Sequence, residues 1–205
     1  MSTKSITLAL LTSLSVVTAG CGVYEQGPSS SVVRITLLEA ASGAKPGEFS
    51  GTLRSDVVTM VKRNNVDVPT IFDDGGRVTM ALSLKDPGAS GVSSSASSLN
   101  SVTFTHYRVV YRRTDGRNVE GVDVPYAFDS GLTFSVPPDG TVQVGFEIVR
   151  HSAKEDAPLL SLQVTGGIIN TVADVTFYGK DQAGKSVAVT GSIGINFGDF
   201  GDPTS

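Results

Sequence analysis

From Val33 onward, apolar and polar side chains alternate with a period of two. Val33, Ile35 and Leu37 are separated by Arg34 and Thr36. Val78, Met80, Leu82 and Leu84 are separated by Thr79, Ala81 and Ser83. The pattern returns at Val142, Val144, Phe146 and Ile148, and again at Leu160, Leu162 and Val164. Such spacing predicts antiparallel strands with one face in a core and the other in water. Residues 49–53, 57–61 and 66–72 are less regular strand candidates. No stretch of this part of the chain keeps a sustained helical spacing.

Turn residues punctuate these runs. Asp74-Gly75-Gly76, Asp115-Gly116, Pro137-Pro138-Asp139-Gly140 and Gly166-Gly167 supply conformations that let a chain reverse. Many short strands with such punctuation predict an all-β sandwich or barrel. The serine-rich segment 89–101 reads as a long loop within a single domain, not as a linker between two.

The N-terminus follows a different rule. Lys4 is followed by an apolar run from Ile6 to Val17, and Thr18-Ala19-Gly20-Cys21 closes it. A basic start, an apolar centre and small residues before a cut form the order of an export signal. The run is too short to span a membrane, which takes about 20 residues. Cysteine directly after Ala19-Gly20 resembles the bacterial lipobox. That resemblance implies removal of residues 1–20 and acylation of Cys21 as the first residue of the mature chain. It also implies a bacterial envelope protein tied to a membrane through Cys21. Gly22, where aspartate would favour the inner membrane, points to the outer one. Residues 21–31 then form a lipidated cysteine and a flexible tether with Gly27-Pro28 and several serines, and 32–205 the folded domain.

Two further passages resemble known families. Tyr107-Arg108-Val109-Val110-Tyr111-Arg112 is similar to a central strand of fibronectin type III sandwiches. The expected hairpin 172–197, with an Asp181-to-Gly184 turn, is similar to the closing hairpin of bacterial immunoglobulin-like domains. Its inward positions would be Ala173, Val175, Phe177, Val187, Val189, Ile193 and Ile195. The wording around Asp115 to Asp129 and the tail to Asp202 resembles uncharacterised exported proteins of environmental bacteria. Together these imply an antiparallel immunoglobulin-like β-sandwich. The chain has no tryptophan and one cysteine, so neither a core tryptophan nor an internal disulfide supports it.

Composition narrows the chemistry. The formal net charge is −4, and an acidic surface repels phosphate backbones, so nucleic acid is not an expected partner. Two histidines, His106 and His151, lie near no nucleophile elbow or glycine-rich oxyanion turn. Neither carries a catalytic expectation, and both read as solvent-facing. Two histidines and one lipidated cysteine do not make a structural zinc site. The aspartates at 73, 74, 115, 123, 129, 139, 199 and 202 read as turn formers, without the spacing of a calcium loop. No cofactor is implied.

One surface is singled out for a protein partner in the envelope. His106, Arg108 and Arg112 share the outward face of one strand, with Arg117 just beyond its turn. The next segment breaks alternation and sets Tyr126 and Phe128 beside Pro125. The ordinary alternative is a solvated face paired with nearby carboxylates, with the two aromatics plugging the end of the sandwich. The expected function is a non-catalytic, lipid-anchored binding or structural module, in one version a subunit of a surface assembly. A carbohydrate- or calcium-dependent adhesion module is the alternative, and an envelope hydrolase with an unrecognised site is the third.

Overall fold

The structure is a computed structural model that describes residues 29–85, 97–138 and 140–200. The expected signal, Cys21, most of the tether and most of the serine-rich segment lie outside the described residues.

The chain is mainly β. Strand β1 spans Ser31–Ala41, β2 Thr52–Asp56, β3 Thr59–Arg63, β4 Val66–Thr70 and β5 Asp74–Leu84. After a 3₁₀ turn at Ser98–Asn100 come β6 Val102–Arg112, β7 Phe128–Val136 and β8 Thr141–Val149. Two single-turn helices follow, α1 His151–Lys154 and α2 Leu162–Thr165, with a 3₁₀ turn at Leu159–Ser161 between them. Strands β9 Ile168–Asp181 and β10 Ser186–Gly198 close the fold.

The strands form a three-stranded sheet, β1-β5-β8, a five-stranded sheet, β2-β10-β9-β6-β7, and a projecting β3-β4 hairpin. The five-stranded sheet is mixed, because β2 runs parallel to β10 while its other pairings are antiparallel. It curls into a half-barrel, with the three-stranded sheet across the same core. The chain crosses between sheets at the β7–β8 turn. At the opposite seam, Ala40 of β1 exchanges two backbone hydrogen bonds with Ser50, just before β2. The all-β expectation holds at this level, while the parallel β2 departs from a purely antiparallel sandwich.

One buried apolar cluster takes side chains from both sheets. Val33, Val78, Met80 and Ile148 come from one; Phe104, Tyr107, Val109, Val175, Phe177 and Ile195 come from the other. Phe177 sits among Tyr107, Phe134 and Phe146, with ring centroids 5.9, 6.3 and 5.3 Å away. The inward faces of the β9–β10 hairpin are those expected: Ala173, Val175, Phe177, Val187, Val189, Ile193 and Ile195 are all buried. Gly184 takes the left-handed conformation at its turn, with φ +79°.

Four readings from the pattern need correction. Residues 160–164 are not a strand. Leu159 and Leu162 are buried, Leu160 is exposed and Val164 points almost wholly outward. Three alternating apolar residues sufficed to imitate a strand where short helical turns formed. Asp74-Gly75-Gly76 is not a turn but the start of β5, paired with Ala41 and Ala40 through its glycines. A Cβ at Gly76 would fall 2.4 Å from the Phe146 ring, so the glycine makes room for that ring. Leu37 faces outward, because a register break between Ile35 and Leu37 reverses the alternation and turns Leu38 inward instead. The packed chain also begins before residue 32: Ser29 and Ser31 are buried, and the Ser31 hydroxyl donates to the Asn100 carbonyl at 2.9 Å.

These contacts orient the molecule. Ser31 lies at the end of the fold where Val102 pairs with Asp181. Arg112, the last residue of the eleven-residue β6, pairs with Val172 at the other end. A strand rises about 3.3 Å per residue. The β6–β7 connection and the helical turns therefore stand roughly 30 Å from where the chain enters the fold.

Candidate functional site

Strand β6 carries the predicted ribbon. Its alternation is interrupted by a register break between Phe104 and His106 on both of its pairings. The break leaves Thr105 and His106 both outside, then sends Tyr107, Val109 and Tyr111 inward. A β-bulge inserts one residue and switches which side chains reach the core. His106, Arg108 and Arg112 are outward as the sequence indicates.

Each member of the ribbon is already engaged. Arg108 Nη1 donates to Asp129 Oδ2 at 2.6 Å. Arg112 donates to both oxygens of Asp174, at 2.6 and 3.3 Å. Arg117 and Arg113 share the Asp115 carboxylate, each at 2.8 Å or less through their terminal nitrogens. Hydrogen bonds from those two arginines hold the Asp115 carboxyl far below the usual carboxylate range. His106 lies flat on Tyr178, ring centroids 4.9 Å apart. The ribbon is thus a neutralised strand face, in line with the ordinary alternative.

The aromatics divide. Phe128 is buried beneath the Arg150 guanidinium, whose carbon sits 4.0 Å from the ring centroid. Tyr126 does not plug the end of the sheets; it is 59% exposed. It stands in the β6–β7 connection, residues 113–127, together with Val119 and Val122, which are also exposed. This connection is held from within. Arg113 N donates to Asn118 Oδ1 at 2.6 Å, and Val119 N to Asp123 Oδ2 at 3.1 Å. Ala127 N donates to Glu120 Oε1 at 3.3 Å. Gly121, at φ +74°, lies under the Tyr126 ring, where a Cβ would be 2.4 Å from the phenol oxygen. Loops held by a rigid frame present side chains without first ordering them.

Beside this loop, β8 ends in a polar group that the sequence did not reveal. His151 Nδ1 sits 2.9 Å from Asp73 Oδ1, and the same oxygen accepts from His151 N at 2.6 Å. The hydrogen bond and charge of Asp73 raise the His151 imidazole above its ordinary value. Burial pushes Asp73 up, but the hydrogen bonds from His151 outweigh it and leave the carboxyl lowered. Glu147 moves the other way, raised by burial and then by its contact with Asp73. His151 remains mostly exposed, as expected, but it is a paired side chain.

Behind this group is a buried ion pair. Lys154 Nζ donates to Asp74 Oδ1 at 2.9 Å, to the Asp56 carbonyl at 2.9 Å and to the Phe72 carbonyl at 2.8 Å. The three protons of an ammonium are thereby matched by three acceptors. Asp74 also accepts from the Ser55 hydroxyl at 2.6 Å and from Gly43 N at 2.8 Å. Burial raises its carboxyl, an effect opposed by Lys154, Ser55 and Gly43. Among the described residues, no group of three or more histidine, cysteine or acidic side chains is placed to hold a metal ion. The loop aspartates are mostly occupied: 73 with His151, 115 with arginine, 123 with a backbone N–H and 129 with Arg108.

No protein-family model, curated protein or solved structure matches this chain. The candidate surface therefore rests on its own geometry. What the sequence missed there is the exposure of Val119 and Val122 and the partners of His151 and Lys154. Sequence separations of 78 and 80 residues hide those two pairings from any local pattern.

Proposed function

We propose that this protein is a non-catalytic, lipid-anchored module of the bacterial envelope that presents a preformed recognition loop, residues 113–127, to a protein partner. The observation that carries the reading is the separation of the two ends. The chain enters the fold beside Asn100 and Asp181, while Val119, Val122 and Tyr126 stand at the far end. A module tethered through Cys21 would then hold these side chains away from its membrane. Exposed tyrosine and valine on a loop braced by its own hydrogen bonds suit an interface anchor, because less ordering entropy is lost on binding.

The immunoglobulin-like assignment belongs to this proposal. The inward Tyr107, Val109 and Tyr111 and the β9–β10 hairpin support it, and the parallel β2 weighs against a strict version. The outer membrane is the proposed address, from Gly22 after the cysteine.

Two measurements test the parts separately. Metabolic labelling with a palmitate analogue should mark the wild type and not Cys21→Ser; equal labelling removes the lipid anchor. A photo-crosslinker placed at Val122 in intact cells should give a discrete adduct that Tyr126→Ala diminishes. The same crosslinker at Thr190, exposed on the sheet face, should give none. Equal adducts from both positions would remove the loop as the recognition element.

A further inference from the structure

A second feature of the far end lies at the β1–β2 seam, apart from the β6–β7 loop. A cleft of about 360 Å³ opens there, lined by Ser42, Lys45, Glu48, Thr52, Arg54 and Phe200, among others. That volume falls within the few hundred cubic ångströms typical of small-molecule sites.

Its walls are built, not incidental. The floor is the outward face of β2, where Thr52 and Arg54 alternate with buried Leu53 and Ser55. One wall is the loop after β1, folded by the hydrogen bonds Lys45 N to Ser42 O and Glu48 N to Lys45 O. This loop is pinned to the interior by Gly43 N on the buried Asp74 carboxylate. Gly43 packs so closely on the Asp73 carbonyl that a Cβ would approach it to 2.2 Å. The other wall is Phe200, whose N–H donates to Asp56 Oδ1 at 3.3 Å.

Arg54 differs from most arginines of the described surface. Arg77, Arg108, Arg112, Arg113, Arg117 and Arg150 each hold a carboxylate. Arg54 lies over the Phe200 ring, 4.4 Å from its centroid, and makes no hydrogen bond or ion pair among the described residues. A guanidinium over an aromatic face keeps a planar fork of donors that fits a carboxylate or phosphate. Around it, the Ser42 and Thr52 side chains bring hydroxyls, and Glu48 and Lys45 form an exposed pair 3.6 Å apart. These groups can exchange hydrogen bonds with ligand hydroxyls on both sides of the fork.

We propose that this cleft binds a small polyhydroxylated anion, a sugar carrying one carboxylate or phosphate group. Arg54 takes the charged group, Phe200 backs the guanidinium, and the loop 42–48 meets the ring hydroxyls. The site is independent of the partner loop, so either can fail without the other.

The test is an NMR titration of the isotope-labelled full chain with sodium glucuronate, glucose 6-phosphate, glucose, sodium acetate and inorganic phosphate. The two anionic sugars should shift the backbone signals of Arg54 and residues 42–48. Glucose should bind at least about tenfold more weakly, the scale of one charge-assisted contact. Arg54→Ala should reduce the anionic sugars to the level of glucose, and Arg54→Lys should restore only part, since an ammonium lacks the fork. Preference between glucuronate and glucose 6-phosphate tells which anion is read. Glucose binding as tightly as glucuronate overturns the proposal. So does wild-type binding by Arg54→Ala, acetate or phosphate alone binding as well as the sugars, or no shift with any of them. An unchanged melting temperature for Arg54→Ala, an exposed side chain, confirms that the variant is folded.

Discussion

Lys154 Nζ and Asp74 Oδ1 are 2.9 Å apart with both side chains essentially sealed from solvent, joining α1 to the first residue of β5. The pair draws together four backbone or side-chain groups from three other places: the Asp56 and Phe72 carbonyls, the Ser55 hydroxyl and Gly43 N. It therefore ties the β1–β2 loop, β2 and the β4–β5 connection to the helical turn. Removing one buried charge leaves its partner uncompensated, which typically costs about 3–5 kcal/mol. Lys154→Met and Asp74→Leu should each lower unfolding stability by that order in denaturant titrations. The double variant should cost clearly less than the sum of the two, because the second substitution removes a charge already stranded. It should not return to wild type, since the Phe72 and Asp56 carbonyls still lose their donor. Additive losses would show that the pair is not coupled.

His151 should titrate above about 6.5, its ordinary value, because the Asp73 carboxylate stabilises the imidazolium. The sign follows from linkage. A group whose pKa is higher folded than unfolded adds stability that is complete below the unfolded value. That stability is lost as the pH rises through the folded value. The contact thus favours the folded state in mildly acidic solution and fades as the pH rises through the raised midpoint. An NMR titration of the His151 ring checks it: Asp73→Asn should bring the midpoint down toward that of a free histidine. An unmoved midpoint would mean the pairing is absent in solution.

At Gly179, β9 packs tightly against the backbone of β6. A Cβ there would lie 2.4 Å from the Thr103 carbonyl oxygen and 2.8 Å from Phe104 Cα. Those are backbone atoms beside the bulge, so no side chain can swing away. Gly179→Ala should lose about 1–3 kcal/mol as overpacking. Gly47→Ala, where nothing lies within 4 Å, is the matched control and should leave the melting temperature nearly unchanged. Equal melting temperatures for the two variants would contradict the close packing of β9 on β6.

The β6 ribbon yields the opposite expectation. Arg108 and Arg112 are well exposed and already bound to Asp129 and Asp174. Exposed ion pairs contribute little because water competes with them and salt screens them. Arg108→Gln with Arg112→Gln should change neither the melting temperature appreciably nor the adduct formed at Val122. Loss of that adduct would restore the ribbon as a recognition surface.

The inward faces of β5, β6, β8 and the β9–β10 hairpin were legible because a strand's side-chain period is two, and burial acts on that period directly. Legibility stopped where a local insertion reversed the phase. The register break after Ile35 exposed Leu37, which simple alternation had counted inward. Residues 160–164 failed for a related reason: so few alternating positions fit a strand and a helical turn equally well. Within the candidate surface, the outward side of β6 could be read, but its neutralisation could not. Asp129 and Asp174 reach Arg108 and Arg112 only because β7 and β9 flank β6.

By itself the amino-acid order determined a mainly β chain, the inward faces of its regular strands and a turn between Asp181 and Gly184, all consequences of local sterics and periodic burial. Tertiary structure alone decided what the polar residues do. Asp74 became a buried counter-ion and not a turn former, because Lys154 was brought to it across 80 residues. Tyr126 was left outside while Phe128 went in, because the β6–β7 connection folds on its own hydrogen bonds before rejoining the sheet. Arg54 came to lie over Phe200 and not on a carboxylate, because β2 lies parallel to β10 and meets Phe200 at its outer side. Charge pairing depends on which distant strands become neighbours, and no local pattern carries that information.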